Sequence, residues 1–172
     1  MSESSSAQAT VGLVREASPD DVPAILDLIH QLAVYEKEPD AVHNTEQLLH
    51  QHLFGPHPRV FCHVIDDVVD GRTQVVGIAV WFETYSTWEG VHGIWLEDLF
   101  VIPQLRGRGY GKKLLLQLAE IAVDRGYTRY EWSVLDWNTP SIEFYKSLGA
   151  KPMDGWTNYR LDGAALRAAV QR

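Results

Sequence analysis

Residues 94–113, IWLEDLFVIPQLRGRGYGKK, decide the fold of this chain. The apolar run up to Ile102 is typical of a strand, which Pro103 ends. Three glycines follow among basic residues, and the apolar residues after them recur at helical spacing until Gly126. The stretch therefore predicts a strand that passes through a glycine-rich turn directly into the N-terminus of a helix.

This glycine-rich turn predicts an anion site, because a helix N-terminus carries unpaired N–H groups and a partial positive charge. Four basic side chains add charge at its rim: Arg106, Arg108, Lys112 and Lys113. The alternative is a flexible turn whose basic residues are only solvated. The spacing matches neither the mononucleotide loop GxxxxGK[ST] nor the dinucleotide fingerprint GxGxxG. What remains is R-x-x-G-x-G.

Composition limits the class of protein. The chain has 172 residues, 45% hydrophobic content and a net charge of −8, which predicts one domain over 11–172 behind a polar, disordered tail over 1–10. The acidic balance disfavours nucleic acid as a partner, and no apolar run is long enough for a membrane span. The acidic balance either favours a cationic substrate or only keeps the protein soluble. The single cysteine, Cys62, fits a reducing compartment, so we expect the cytoplasm.

The remaining patterns predict an α+β fold with a mixed sheet. Ser18 or Asp20 caps a first helix, and Asn44 or Thr45 caps a second. The turn-like residues 66–73, DDVVDGRT, join the next two predicted strands into a hairpin. The predicted strands lie at 11–17, 60–66, 74–83, 93–101, 128–135, 150–153 and 156–162, and the predicted helices at 21–38, 44–54, 109–127, 139–149 and 163–172.

The sequence resembles a known family at several separate motifs. Residues 94–127 are similar to the acetyl-CoA-binding core of the GNAT N-acetyltransferases. The segments YEWSVLDWNTPSIEFYKSLGA, LAVYEKE, TYSTWEG and GWTNYRLD resemble its spermidine/spermine (diamine) and thialysine N-acetyltransferase branch. The resemblance implies a GNAT-type, mostly antiparallel sheet that is flanked by helices and splayed between the core strand (about 93–101) and the next strand (about 128–135). It also implies a homodimer.

The resemblance further implies a site for acetyl-CoA. The pyrophosphate would lie on the backbone N–H groups of Arg108, Gly109, Gly111 and Lys112, and the pantetheine arm would run beside the core strand. The residues implied for the cofactor are Leu99, Phe100, Val101, Arg106, Gly107, Arg108, Gly109, Tyr110, Gly111, Lys112, Asn138, Ser141 and Tyr145. A main-chain N–H of Phe100 or Val101 would polarise the acetyl carbonyl. Asn138 alternatively only caps a helix.

Acetyl transfer to an amine requires a proton acceptor and a proton donor. Glu97 and Asp98 are the carboxylates at the reacting end of the core strand, and alternation predicts that their side chains face opposite sides. By the resemblance, Glu97 is the base; alternatively it only binds the ammonium. Asp98 is expected to make a structural hydrogen bond to the loop. Tyr145, in the family's N-x-x-S-x-x-F-Y pattern, is the expected acid for the leaving thiolate. No covalent nucleophile is implied, so the amine attacks directly in a ternary complex.

The resemblance assigns the acceptor side to aromatic and acidic residues, which suit an alkylammonium: Tyr35, Glu36, Trp88, Glu89 and Glu97. This chain departs from the family's T-Y-D-P-W, because Ser86-Thr87 precede its Trp88. A carboxylate that would hold a distal ammonium is therefore missing, although Glu89 can compensate. The implied acceptor is a diamine, a polyamine or a thialysine-like or lysine-like amino acid, and the departure counts against a polyamine.

Other functions remain open at this point. A GNAT enzyme that acetylates a protein lysine or an aminoglycoside-like compound is one alternative, and a CoA-binding sensor without catalysis is another. We expect no metal, since His50 and His52 lie two residues apart on a predicted helix and do not face the same side.

Overall fold

The computed structural model describes residues 11–170, so the predicted tail over 1–10 lies outside the described residues. The described residues fall into two compact units, which divide between Ser133 and Val134, and each unit is described by itself. The first contains β1 (Val14–Glu16), α1 (Val22–Tyr35), α2 (Glu46–Phe54), β2 (Phe61–Val69), β3 (Arg72–Ser86), β4 (Val91–Val101), α3 (Tyr110–Asp124) and β5 (Tyr130–Trp132).

The first unit is built on one five-stranded sheet in the order β1-β2-β3-β4-β5. Three neighbouring pairs are antiparallel, and β4 and β5 are parallel. A two-residue turn joins β2 to β3, and both of its residues, Asp70 and Gly71, have positive φ (50° and 76°), as tight hairpin turns require. The mixed, mostly antiparallel sheet predicted from the sequence is confirmed.

The sheet opens between β4 and β5. The two strands pair only where Ile94–Leu96 lies beside Tyr130–Trp132. Because β4 continues to Val101, its residues 98–101 keep β3 on one side and have no β5 partner on the other. The predicted splay is confirmed, and β5 is shorter than the predicted 128–135.

Helices cover the two faces of this sheet. Neighbouring residues of a strand face opposite sides, so Val80 and Trp81 mark the two faces. Arg125, at the end of α3, lies 5.6 Å from the Trp81 ring, which places α3 on that face. Val80 pairs with Asp98, whose pKa is raised in part by Glu36 at the end of α1, so α1 covers the other face. The largest fully buried side chains, which form the core between these layers, are Trp81, Ile25, Ile65, Ile78, Ile94, Leu114, Leu118, Val64 and Val76.

Arg15 on β1 ties three elements together. Its guanidinium donates to Asp21, in the 3-10 turn that precedes α1, at 2.7 and 2.9 Å. It also donates to Asp66 on β2 at 2.7 and 3.0 Å. Both carboxylates are buried, so removal of Arg15 would leave two buried charges uncompensated.

The second unit is helical in its described part. It contains α4 (Thr139–Ser147) and α5 (Gly163–Ala168), and α4 begins where Asn138 accepts a hydrogen bond from Ser141 N at 3.4 Å. The strands predicted at 150–153 and 156–162 are wrong, since the described residues of this segment form no strand. Pro152 removes a backbone donor, and Gly155 turns the chain with a φ of 92°. Across 11–170, no helix is long and apolar enough to cross a membrane.

Candidate active site

The glycine-rich turn forms an open helix N-terminus, as predicted. Gly107 and Gly109 both have a φ of 80°, a left-handed conformation that favours glycine. The first helical hydrogen bond of α3 runs from Lys113 N to Gly109 O (2.9 Å). The N–H groups of the three residues before Lys113 therefore precede the helical ladder and are available to an anion.

The local structure does not require a glycine at position 111. Its φ is not positive, and a Cβ built on it meets no atom within 4 Å. Neither backbone conformation nor packing therefore requires glycine here, and helix propensity disfavours it. An anion that approaches the helix backbone closely supplies a reason for a residue without a side chain.

Two basic side chains around this turn donate hydrogen bonds to other parts of the protein. Arg108 donates to Asp67 at 3.0 Å, and Lys113 donates to the carbonyl oxygen of Gly12 at 2.6 Å. Both bonds are made to groups near β2 and the N-terminal end of the described chain. Protein acceptors therefore engage both side chains, and the charge that they add at the rim of the anion site stays a prediction.

Arg106 also has protein partners. Its Nε donates to the carbonyl oxygen of Val101 at 3.1 Å. Its guanidinium lies 4.7 Å from the centre of the Tyr35 ring and 5.4 Å from that of Phe100. Arg106 therefore connects the glycine-rich turn, the end of β4 and the end of α1.

A β-bulge changes which way the two candidate carboxylates face. The register between β3 and β4 passes from Trp81 opposite Leu96 to Val80 opposite Asp98, so Glu97 is the extra residue. The expectation that Glu97 and Asp98 face opposite sides is wrong, because it assumed uninterrupted alternation. The exposed carboxylate of Glu97 is held on the side of Trp95, whose Nε1 donates to Glu97 Oε2 at 2.8 Å. Trp95 and Val80 lie on the same face, since Trp95 pairs with Phe82, two residues from Val80.

Asp98 has the most perturbed carboxyl of this group. Its side chain is half-buried, and burial raises its pKa from 3.8 to about 6, with further contributions from Glu97 and Glu36. The structural hydrogen bond that we expected for Asp98 is not formed with any residue in 11–170. A half-buried carboxyl beside two others is costly unless a cation or a proton compensates it.

The end of α1 completes this group of carboxylates. Glu36 follows the last residue of α1, and burial raises its pKa. Tyr35 and Glu36, which the resemblance assigns to the acceptor side, lie near β4, since Tyr35 contacts Arg106 and Glu36 contributes to the raised pKa of Asp98. Their role toward the acceptor stays a prediction. Glu36, Glu97 and Asp98 together form a negative group suited to an ammonium ion, and we call them the carboxylate group.

The structure does not bring Trp88 and Glu89 to the carboxylate group of the same chain. Both lie in the turn between β3 and β4, and six residue steps of strand from Val91 to Glu97 correspond to roughly 20 Å. Trp88 is 85% exposed. In the same turn the buried hydroxyl of Ser86 accepts from Glu89 N at 3.1 Å and from Arg129 Nη2 at 2.7 Å. Ser86 therefore stabilises this turn.

The remaining predicted site residues lie in the second unit. Asn138 caps α4, which agrees with the capping alternative. Tyr145 lies on the same helix, with its ring 5.4 Å from that of Phe144. The roles predicted for Asn138, Ser141 and Tyr145 toward acetyl-CoA stay predictions.

Sequence reasoning missed three features of this region. Trp95, two residues before Glu97, was detectable from strand periodicity. Asp67 lies 41 residues before its partner Arg108, and no local pattern indicates that contact. The pKa of Asp98 depends on a bulge and on a distant helix end.

Within the described residues, no group of three or more His, Cys, Asp or Glu side chains is arranged to hold a metal ion.

Comparison with known proteins finds relatives that are named as acetyltransferases. Thialysine N-epsilon-acetyltransferase of Sus scrofa is 39% identical over 162 residues, which cover 90% of this chain and 95% of that protein. L-ornithine N5-acetyltransferase NATA1 of Arabidopsis thaliana is 31% identical over 90% of this chain and 86% of its own length. The integron cassette protein VCH_CASS6, from the mobile metagenome of V. cholerae, shares the fold with a TM-score of 0.75 and 24% identity, covering 92% of this chain and 97% of its own.

Residues 23–150 match the sequence pattern of the acetyltransferase (GNAT) family. This match covers most of the chain, including the splayed β4, the glycine-rich turn and α3. The chain therefore belongs to the GNAT family of acetyltransferases, which use acetyl-CoA as the acetyl donor.

Proposed function

We propose that this acetyltransferase transfers the acetyl group of acetyl-CoA to a primary amine of a small cationic acceptor. The observation that carries the proposal is the carboxylate group, which lies beside the open edge of β4 and costs free energy unless a cation or a proton compensates it. A small alkylammonium supplies both the compensating charge and, after loss of a proton, the nucleophile.

Acetyl-CoA would be held by backbone more than by side chains. The first-turn N–H groups of α3 suit its pyrophosphate, and the open space at Gly111 admits a close approach. The unpaired edge of β4 at Leu99, Phe100 and Val101 offers main-chain groups to the pantetheine amides, in the manner of an added strand. The Val101 carbonyl already accepts from Arg106 Nε, so we expect this hydrogen bond to break when the donor binds, while the guanidinium of Arg106 stays beside the Tyr35 ring.

The proton of the ammonium would be accepted by a carboxylate of β4. Glu97 is the base that the sequence proposes, and its hydrogen bond from Trp95 fixes its position. One observation favours Asp98 as a second candidate: its pKa of about 6 lies within a unit or so of neutral pH, where a general base is most effective. In that arrangement Glu97 would bind the ammonium and Asp98 would remove the proton.

The transfer itself would proceed by direct attack in a ternary complex. The amine nitrogen forms a bond to the thioester carbon, the C–S bond breaks, and the CoA thiolate leaves with a proton from Tyr145. The ammonium loses one proton to Glu97 or Asp98 before attack, and the nitrogen loses a second proton to solvent as the amide forms, while solvent returns a proton to Tyr145. No redox partner or covalent enzyme intermediate is needed. A neutral phenol is a suitable donor to a thiolate, since the two have pKa values of similar size.

The relatives narrow the class of acceptor. One acts on the N-epsilon amine of thialysine and another on N5 of L-ornithine, so both names describe the side-chain amine of an amino acid. We propose a diamino acid of this kind ahead of a polyamine. In this chain Ser86 stands where the family pattern has an aspartate, and its hydroxyl accepts a hydrogen bond from Arg129.

We also propose a homodimer and a cytoplasmic location. Roughly 20 Å of strand, from Val91 to Glu97, separates the turn that carries Trp88 from Glu97 of the same chain. This separation favours a second copy, since the exposed Trp88 is then available to another molecule. Cys62, buried and unpaired, is compatible with a reducing compartment. Light scattering after size-exclusion chromatography tests the dimer, and a monomer at micromolar concentration would contradict it.

The function is tested by release of free thiol from acetyl-CoA in the presence of an amine panel. The panel contains thialysine, lysine, ornithine, a diamine, spermidine, an aminoglycoside and a lysine peptide. The proposal predicts the largest kcat/KM for a diamino acid. Binding of acetyl-CoA without turnover of any amine would instead indicate a CoA sensor, and preference for the peptide or the aminoglycoside would indicate a different acceptor class.

A further inference from the structure

One buried carboxylate of β2 contacts both sides of the glycine-rich turn. Asp67 Oδ2 accepts a hydrogen bond from the Tyr110 hydroxyl at 2.7 Å and from Arg108 Nη1 at 3.0 Å. Its Oδ1 accepts from Val68 N at 2.7 Å. The Asp67 side chain is only 7% exposed, so these bonds form in a region of low solvent access.

The position of the two donors makes this contact informative. Arg108 and Tyr110 flank Gly109, the left-handed residue that opens α3. Because their side chains meet at one oxygen atom, the backbone from 108 to 110 is fixed at both ends. A glycine-rich turn is otherwise flexible, and ordering it on ligand binding would cost conformational entropy.

The charge of Asp67 would appear unfavourable beside an anion site. Arg108 compensates it, and the hydrogen bond from Tyr110 lowers the pKa of Asp67, so the carboxylate remains ionised and bound. Arg108 is therefore not a free phosphate ligand. Its side chain helps to hold the turn, while the N–H groups that precede the helical ladder of α3 are left for the ligand.

We propose that Asp67 is a positioning residue for acetyl-CoA, which preorganises the glycine-rich turn through Arg108 and Tyr110. This inference rests on the proposed function of the turn as the pyrophosphate site. It assigns to β2, which carries no residue of the reaction, a role in donor affinity. Preorganisation of this kind improves affinity by reducing the cost of ordering, so it acts on donor binding and not on the chemical step.

The test uses three variants of the full-length protein. Tyr110→Phe removes one hydrogen bond without a change of charge, and Asp67→Asn removes the ionic interaction with Arg108. Asp66→Asn is the matched control, because Asp66 is the adjacent residue and an equally buried carboxylate bound by Arg15. Calorimetric titration with acetyl-CoA, steady-state kinetics and thermal unfolding are measured for each.

We expect Tyr110→Phe and Asp67→Asn to bind acetyl-CoA about tenfold more weakly, with kcat at saturation and the KM of the amine unchanged. Asp66→Asn should lower the melting temperature but keep wild-type affinity for acetyl-CoA. The inference is overturned if Tyr110→Phe and Asp67→Asn keep wild-type affinity, or if Asp66→Asn weakens binding equally. Failure of the wild-type protein to bind acetyl-CoA would instead refute the proposed donor site itself, and this inference with it.

Discussion

The guanidinium of Arg106 lies 4.7 Å from the centre of the Tyr35 ring. The sequence assigns these two residues to different substrates, Arg106 to the donor and Tyr35 to the acceptor. Their contact joins the two halves of the site, and Arg106 also donates to the Val101 carbonyl on the open edge of β4. A ligand that displaces Arg106 from that edge must therefore also affect Tyr35.

Tyr35→Leu should raise the KM values of both acetyl-CoA and the amine, by roughly threefold to tenfold. The substitution removes the cation–π contact of the ring with Arg106 and the one proposed with the ammonium of the acceptor, each worth about 1 kcal/mol. Tyr35→Phe keeps the aromatic ring and should stay within about twofold of wild type. Steady-state kinetics with each substrate varied in turn measures the effect. An increase confined to the amine would show that the contact with Arg106 does not couple the two sites.

Asp98→Asn should change both activity and stability, with opposite signs. If Asp98 accepts the proton, kcat should fall about a hundredfold, and the rise of kcat/KM with an apparent pKa near 6 should disappear from the pH profile. In Glu97→Gln that rise should persist. The reverse result, with the rise lost only in Glu97→Gln, would assign the proton acceptor to Glu97.

The stability of the same variant follows from linkage. The folded-state pKa of Asp98, about 6, lies above its ordinary value of 3.8, so the folded chain binds more protons between these values. Ionisation of Asp98 therefore lowers stability as pH rises through this window. Asp98→Asn should be more stable than wild type at pH 7 by about 1–3 kcal/mol, and the difference should vanish below pH 4. Urea unfolding at both pH values measures this, and equal stability at pH 7 would contradict the raised pKa.

The sequence was sufficient for the features that depend on local pattern. The glycine-rich turn, the hairpin at Asp70-Gly71 and the Thr45 cap of α2, where Thr45 Oγ1 accepts from Leu48 N at 3.2 Å, each follow from residues within a few positions of one another. The order of elements in the first unit and the splay of the sheet also follow from these patterns and from the resemblance.

Features that depend on contacts between distant residues were not predictable in this way. The bulge at Glu97 arises from the register between two strands, and it reverses the expected direction of a side chain. Arg108 and Lys113 have their partners in Asp67 and Gly12, which are far away in the sequence, so no local pattern indicates that protein acceptors engage these two side chains. Residues 156–162 include Trp, Thr and Tyr, which favour strands, but composition alone does not supply a pairing partner.

Gly111→Ala should separate the stability of α3 from its function. A Cβ meets no protein atom within 4 Å, so the substitution should stabilise the helix by roughly 0.5–1 kcal/mol. The same Cβ would occupy the space through which the pyrophosphate approaches, so affinity for acetyl-CoA should fall at least tenfold. Thermal unfolding and calorimetric titration test the two effects.

Gly109→Ala is the comparison for that variant. Its φ of 80° disfavours any side chain, so this substitution should lower stability by roughly 1 kcal/mol. Weaker acetyl-CoA binding in Gly109→Ala would then accompany a strained backbone. Unchanged acetyl-CoA affinity in Gly111→Ala would show that no ligand approaches the first turn of α3.

Tyr145→Phe tests the proton donor of the proposed reaction. Loss of the phenol should lower kcat by about a hundredfold, since the thiolate must then leave without a positioned acid. Affinity for acetyl-CoA should change by less than threefold, because Phe keeps the ring that packs beside Phe144 on α4. Tyr159→Phe is the matched control, a fully exposed tyrosine of the second unit, and it should keep wild-type kcat.

A leaving group of lower pKa distinguishes a proton donor from a residue that only packs. Thiolates that are weaker bases need less protonation as they leave, so an acyl donor with an activated thiol, such as an acetyl thioester of an aromatic thiol, should be used by Tyr145→Phe almost as well as by wild type. Restored activity with that donor, but not with acetyl-CoA, would support acid catalysis by Tyr145. An equal loss of activity with both donors would instead assign Tyr145 to positioning, and the proton would have to come from another group or from water.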